Sequence, residues 1–289
     1  MKLALGTVQF GLDYGIAGRG EVVPEKEVCA ILDYAFSVGI DTLDTAAVYG
    51  TIETRLGELL RQRWGVRIVS KLPPVPQGLS SADAPAWAGA AFSKAQTSLR
   101  DSLAGYLFHR AEDLLGVNGK IIWETLQPLC ERAGVALGVS CYGPDELDLV
   151  RSKFPVALAQ LPGNAMDQRY AHSRCDGEDL CEIYLRSAFL QGLLLMPYAK
   201  AIKRLPSAEP ALRLWHEWCA QRGWTPLFAA LAVVKGFRSA RYCVVGVDSL
   251  KQLEEIVLLW EKVEPVVASH LSCALPEVID PRCWRVGRE

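Results

Sequence analysis

The chain has 289 residues, half of them apolar, with 31 Lys and Arg against 33 Asp and Glu and a formal net charge of −2. That near-neutral balance excludes a protein built chiefly to grip a nucleic-acid backbone, which carries a strongly basic surface, and the cluster Arg61-Gln62-Arg63 reads as a solvated helix face. No apolar run reaches the roughly 18 residues that a membrane span needs. The opening Met1-Lys2-Leu3-Ala4-Leu5-Gly6 turns to glycine and polar residues too early for a secretory signal. The nine cysteines are odd in number and show neither a C-x-x-C pair nor zinc-finger spacing with histidine, so they read as reduced thiols and no metal site is expected. A cytoplasmic protein without nucleic-acid or membrane partners is the expectation; oligomeric state is left open.

In chain order, a short apolar run predicts a first strand at residues 3–5. A helix at 25–38 follows Pro24, in a place where a first helical turn tolerates proline. Strands at 42–43 and 67–70 flank a helix at 53–62, and Leu72-Pro73-Pro74-Val75-Pro76 forms a stiff loop leaving the third strand. Next come a helix at 84–101, a strand at 104–108, a helix at 120–133 and a strand at 136–139. A helix at 145–152, with Asp145 as its cap, leads to strands at 157–160 and 183–187. A helix at 208–221, a strand at 243–245 and a helix at 249–261 capped by Ser249 complete the series.

Eight strands separated mostly by amphipathic stretches, with no break in composition, predict an α/β fold: a single (β/α)8 TIM-type barrel over residues 1–289, with 263–289 as a C-terminal tail. An open doubly wound sheet would want a G-x-G-x-x-G after a strand. Gly18-Arg19-Gly20 lacks the third glycine and reads as a turn.

In such a barrel, reactive side chains emerge at the C-terminal ends of strands. Asp44 and then Tyr49 follow the second predicted strand, Lys71 the third, and His109 and Arg110 the fourth. Each has an ordinary reading by itself: a turn cap, a core tyrosine, a solvent-facing lysine, a hydrogen-bonded structural histidine. Their arrival at three consecutive strand ends points instead to one shared site.

The ordered set of segments resembles the aldo-keto reductase family along almost the whole chain. It comprises Leu5-Gly6-Thr7-Val8-Gln9-Phe10-Gly11, the stretch from Gly39 through Asp44 to Tyr49 and Gly50, Ile68-Val69-Ser70-Lys71 and Tyr106-Leu107-Phe108-His109. Gly138-Val139-Ser140, Gln160, Arg186-Ser187-Ala188-Phe189-Leu190-Gln191-Gly192 and Gly246-Val247-Asp248-Ser249 follow in the family's order. The resemblance implies reduction of a small aldehyde or ketone by hydride from NADPH, with NADH as the alternative cofactor. It makes Tyr49 the general acid, with Lys71 lowering its pKa, Asp44 holding Lys71, and His109 orienting the carbonyl oxygen.

For the cofactor, the resemblance implies Gly6, Thr7, Val8 and Asp44 from the early strands, and Ser140 and Gln160 at the nicotinamide carboxamide. Cys141 stands where the family often has Asn, and Arg186 where many members stack an aromatic ring on the nicotinamide. Ser187, Phe189 and Gln191 belong to the next loop; Gly246, Val247 and Asp248 resemble the pyrophosphate and ribose loop, with Gln252 and Glu255 toward the adenosine. The resemblance places the substrate loops at 10–15 and 279–284; Phe10, Tyr14, Phe189 and Trp284 are candidates either for the pocket lining or for core and rim, and Arg110 either binds a substrate anion or forms a supporting ion pair. Two rival functions fit the same fold: a Schiff-base lyase using Lys71, and a nucleotide-sensing regulatory subunit.

Overall fold

The computed structural model describes residues 1–16, 20–172 and 181–284. Residues 18 and 19 of the expected Gly18-Arg19-Gly20 turn and the last five residues of the tail lie outside the described residues.

Eight strands run Lys2–Gly6 (β1), Thr42–Asp44 (β2), Arg67–Leu72 (β3), Leu103–Phe108 (β4), Ala136–Ser140 (β5), Leu158–Pro162 (β6), Glu182–Arg186 (β7) and Tyr242–Gly246 (β8). Each pairs in parallel with its sequence neighbours, and β1 pairs with β8, so the sheet closes into a barrel. The seven expected helices appear at Glu25–Ser37, Ile52–Leu59, Ala84–Leu99, Gly119–Ala133, Pro144–Arg151, Glu209–Arg222 and Leu250–Lys262. No described helix is long and apolar enough to cross a membrane.

Local chemistry explains the boundaries. Ser249 caps the helix Leu250–Lys262 by accepting from the Gln252 N–H at 3.4 Å, as expected. Asp145 does not act as a cap: the helix begins at Pro144 with Gly143 before it, so Asp145 lies in the first turn, where its charge favours the helix N-terminus. Pro24 is itself the N-cap residue, in extended backbone. Ser187 leaves the seventh strand, with a φ of 62°. The exposed basic cluster at 61–63 follows the end of a helix, and Arg63 pairs with Asp33.

Five further helices stand among the described residues: Val8–Gly11, Ala111–Leu115, Tyr198–Arg204, Pro226–Lys235 and Pro276–Ile279. Pro226–Lys235 is capped by Thr225, whose hydroxyl accepts from the Phe228 N–H, and Ala229 through Val234 are all buried. A helix covered nearly all round carries no polar stripe, so its periodicity is invisible.

The barrel interior follows the period-two rule of strands. Ala4, Val69, Leu107, Leu158, Tyr184, Tyr242 and Val244 form a separate inner cluster, with the Tyr184 and Tyr242 rings stacked at 4.5 Å. This apolar plug fills the barrel toward its N-terminal end. Two residues further along the same strands, the inward positions are Gly6, Lys71, His109, Gln160, Arg186 and Gly246. The register aligns Gly6 with both Asp44 and Gly246, and Ser140 with Gln160. The fold thus turns an apolar ring into a polar one within a single step of the pleat.

Candidate active site

The polar ring lines a cavity of about 830 Å³ at the C-terminal mouth. Asp44, Tyr49, Lys71 and His109 all line it. So does every other residue singled out as cofactor-binding except Cys141. The Cys141 side chain is fully buried away from the cavity, and burial pushes its thiol well above the usual range. Its backbone contributes instead: its N–H donates to the Gln160 carbonyl and its own carbonyl accepts from Arg186 at 2.9 Å.

Lys71 is 2% exposed, and its ammonium donates to Asp44 Oδ1 and Oδ2 at 2.8 and 2.9 Å and to the Thr45 carbonyl at 2.7 Å. An ammonium has three protons, so all are engaged. Burial lowers the Lys71 pKa, and the Asp44 carboxylate opposes that shift. Gln160 donates from Nε2 to Asp44 Oδ1, which fixes the amide orientation because a carboxylate only accepts.

The Lys71 ammonium sits 5.6 Å from the centroid of the Tyr49 ring, and Tyr49 meets His109 edge-on at 6.2 Å. Lys71 was expected to lower the phenol pKa. Burial and the Asp44 carboxylate instead push it up, and the cation that opposes them is Arg186. The physical reason is that the Lys71 charge is spent on Asp44 at contact distance. Tyr49 therefore holds its proton firmly in the resting protein. Burial, reinforced by Lys71 and Arg186, drives the His109 pKa down to about 3, so its imidazole is neutral.

Four side-chain atoms at this site are buried without a hydrogen-bond partner among the described residues: Gln160 Oε1, His109 Nδ1, Gln9 Oε1 and Thr45 Oγ1. Buried polar atoms in native proteins are nearly always satisfied, so orphans of this kind mark places where a ligand or water completes the set. An unpartnered amide oxygen beside the Ser140 hydroxyl is a fit acceptor for a carboxamide N–H. Ser187, Leu190 and Gln191, in the loop after β7, have φ values of 62°, 49° and 53°. Left-handed backbone at non-glycine residues costs on the order of 1–2 kcal/mol each and gathers at functional loops. At β8, a Cβ on Gly246 would fall 2.5 Å from Gln9 Nε2, so the glycine lets Gln9 lie over the strand end. Gln252 returns its Oε1 to the Asp248 N–H at 2.7 Å and holds that turn in shape. These features fit an elongated dinucleotide running from Gln160 toward Glu255.

Several of the other candidates lie elsewhere. Phe10 is fully buried core, and the Trp284 indole N–H donates to the Val278 carbonyl outside the cavity. Arg110 forms a two-point ion pair with Asp113 at 2.8 and 3.0 Å and does not line the cavity. Tyr14 and Phe189 do line it. Arg282, in the tail stretch 279–284 expected to border the substrate, lines it too, as do Tyr142, Lys200 and Thr225, which the sequence did not mark. Tyr142 follows Ser140 by two residues and thus had a signal in the strand period; Lys200 and Thr225 belong to helices, where strand spacing carries none.

The sequence pattern of the Aldo/keto reductase family matches residues 2–268, and the chain belongs to that family. No curated protein matches it. Among solved structures it is similar to an aldo-keto reductase of Bacillus halodurans in its holo form, with a TM-score of 0.72 and 18% identity over 98% of this chain and 95% of that one. A glycerol dehydrogenase of Gluconobacter oxydans gives a TM-score of 0.64 and 18% identity over 92% and 87%. A Pseudomonas aeruginosa protein described as an aldo-keto reductase gives 0.63 and 23% over 90% and 89%. At these identities the likeness to solved structures is one of fold.

Proposed function

We propose that the protein reduces a small aldehyde or ketone to the alcohol with a reduced nicotinamide dinucleotide, NADPH by family resemblance, with Tyr49 as the proton donor. The observation that carries this reading is the meeting of a protonated Tyr49, a neutral His109 and the sealed Lys71–Asp44 pair beside the unpartnered Gln160 oxygen in one cavity. A reduced nicotinamide supplies hydride to the carbonyl carbon when it is bound. The protein's part is the proton. As charge gathers on the carbonyl oxygen, the Tyr49 hydroxyl transfers its proton there, and the nearby Arg186 cation favours the tyrosinate that forms. Water then returns a proton to Tyr49. His109, uncharged, orients the carbonyl oxygen by hydrogen bonding without adding a titratable charge near neutral pH.

Ser140 and Gln160 would hold the carboxamide end, with Gly6, Thr7 and Val8 beneath it. Arg186 would flank the ring. The strained loop with Ser187, Phe189 and Gln191 and the turn with Gly246, Val247 and Asp248 would hold the pyrophosphate and ribose, and Gln252 and Glu255 the adenosine end. In that last stretch, Asp248 and Glu255 line the cavity and no Lys or Arg does. A carboxylate accepts from a ribose hydroxyl and repels a 2′-phosphate. Weak discrimination is the expected result, with kcat/KM for NADPH within about tenfold of that for NADH, a span of 1.4 kcal/mol.

The lyase reading finds no support at Lys71, whose three N–H bonds are all engaged, so no lone pair is ready to attack a carbonyl. We place the chemistry in the cytoplasm on the eight free thiols among the described residues. The test is consumption of NADPH dependent on added carbonyl, with one alcohol formed per cofactor oxidised. No turnover across a broad panel of aldehydes and ketones with either cofactor would overturn the reading.

A further inference from the structure

Four cations line the cavity: Lys200 on the helix Tyr198–Arg204, and Lys71, Arg186 and Arg282, which gather near one another. Two are neutralised in place. Lys71 is paired with Asp44, and Arg282 holds Asp280 through Nε at 3.1 Å and NH2 at 2.7 Å, with Glu112 at 3.2 Å. Arg186 is different. It donates to the Cys141 carbonyl at 2.9 Å and to the Ser187 hydroxyl at 3.3 Å, both neutral acceptors. Among the described residues no carboxylate lies within 4 Å of it, and the acid that feels its charge, Asp280, is already held by Arg282. A guanidinium carries five N–H groups, so most of its donor capacity remains for a ligand.

The surroundings aim that capacity at the reacting end. The Arg186 guanidinium lies over the Tyr142 ring at 4.5 Å, and that of Arg282 over the same ring at 3.4 Å. The ring face supports both cations and fixes the planes in which their N–H groups point. Ser187, which accepts from Arg186, is held in left-handed backbone immediately after it. The charge of Arg186 is felt at Tyr14, Tyr49 and His109. Gathering three cations at one cavity end costs repulsion, and the cost is offset when a ligand brings an anion.

We propose that Arg186, backed by Arg282 across Tyr142, recognises an anionic group on the substrate, a carboxylate or a phosphate carried on the same molecule as the reacting carbonyl. This rests on the reductase reading and deepens it, since it assigns the substrate class of the same site. A guanidinium presents paired N–H donors that match either oxyanion in a fixed, two-point geometry. Arg186 acts here on specificity, by placing the carbonyl against Tyr49 and His109.

The test compares matched pairs by kcat/KM with the purified full chain: succinic semialdehyde against butanal for carboxylate, and glyceraldehyde 3-phosphate against glyceraldehyde for phosphate. The expected result is that at least one anionic member exceeds its neutral partner by tenfold or more, and that raising the ionic strength erodes this ratio. In Arg186→Met the ratio falls to within about threefold of unity, chiefly through KM. Arg282→Met lowers it partially, and serves if the first variant does not fold. Using the ratio cancels any general effect on cofactor binding. Titration calorimetry with 4-hydroxybutyrate and glycerol 3-phosphate against 1,4-butanediol, in the presence of oxidised cofactor, reads anion binding without turnover. Binding of an anionic alcohol that is lost in Arg186→Met supports the proposal even if no aldehyde is reduced, in which case the reductase reading fails alone. Equal turnover of charged and neutral aldehydes, or a ratio unchanged in Arg186→Met, overturns the proposal and leaves the reductase reading standing. Neither anion binding nor preference overturns it as well.

Discussion

Replacing Asp44 by Asn keeps the side-chain shape and removes the charge that answers Lys71. In the wild-type protein Lys71 and Asp44 are 2% and 7% exposed and meet at two points. After the change the ammonium keeps the Thr45 carbonyl but loses both carboxylate oxygens, and Gln160 Nε2 loses its charged acceptor. Breaking a buried ion pair from one side costs about 3–5 kcal/mol, because the remaining charge is stranded in low dielectric. With a urea m-value of about 3 kcal/mol/M for a chain of this size, the unfolding midpoint falls by roughly 1 M or somewhat more.

The loss depends on pH in a definite direction. Lys71 already has a lowered pKa in the folded protein, and without Asp44 it is lowered further. The unfolded chain then binds more protons than the folded one from the new, lower pKa up to the ordinary lysine value near 10.4. Stability of the variant therefore rises with pH through that window, and its deficit against wild type shrinks toward alkaline pH. Urea unfolding followed by circular dichroism at several pH values measures both quantities. A loss below about 1 kcal/mol, or a deficit that does not change between neutral and alkaline pH, would refute the buried-pair reasoning.

His109, with its pKa near 3, stays neutral from pH 5 to 8, so NMR titration of its ring protons shows no inflection there. Because its folded pKa lies below the unfolded value of about 6.5, it contributes a stability loss that grows as pH falls from 6.5 toward 3, which acid unfolding with His109→Gln as reference detects. Gly138→Ala drives a Cβ to 1.8 Å from the Leu158 carbonyl oxygen across the β5–β6 pair, and backbone cannot retreat as a side chain does. The expected cost is about 3 kcal/mol, at the upper end for overpacking. Gly89→Ala, with nothing within 4 Å of the added Cβ in the helix Ala84–Leu99, should instead stabilise by about 0.5–1 kcal/mol. Denaturation midpoints of the two variants moving in the same direction would contradict both statements.

Much of the site was legible because strands count in twos. Lys71, His109, Gln160 and Arg186 each follow an apolar inward residue by two positions, so runs such as Leu107-Phe108-His109 announce where the barrel floor ends and its mouth begins. What stayed hidden depends on distances that spacing does not encode. Thr225 and Pro226 enter the cavity from a helix buried on almost all sides, which lacks an amphipathic signature. Arg282 lies in the tail stretch expected to border the substrate, but its contact with Glu112 is one that spacing does not encode. The direction of the Tyr49 shift was also beyond sequence, because it turns on whether the Lys71 charge faces the phenol or Asp44, and three hydrogen bonds decide that. At Cys141, where the family often has Asn, the strand period turns the side chain outward, as it alternates with inward Ser140.

The most direct test of the central claim is single-turnover reduction of an aldehyde by Tyr49→Phe with cofactor affinity measured in parallel. Removing one hydroxyl removes the proton source and nothing that the cofactor end of the cavity uses. The expected result is a reduction rate lower by at least about 10²-fold, the usual worth of a positioned general acid, with a dissociation constant for NADPH that changes less than about threefold. A rate within a few-fold of wild type would contradict the assignment of Tyr49 as the donor.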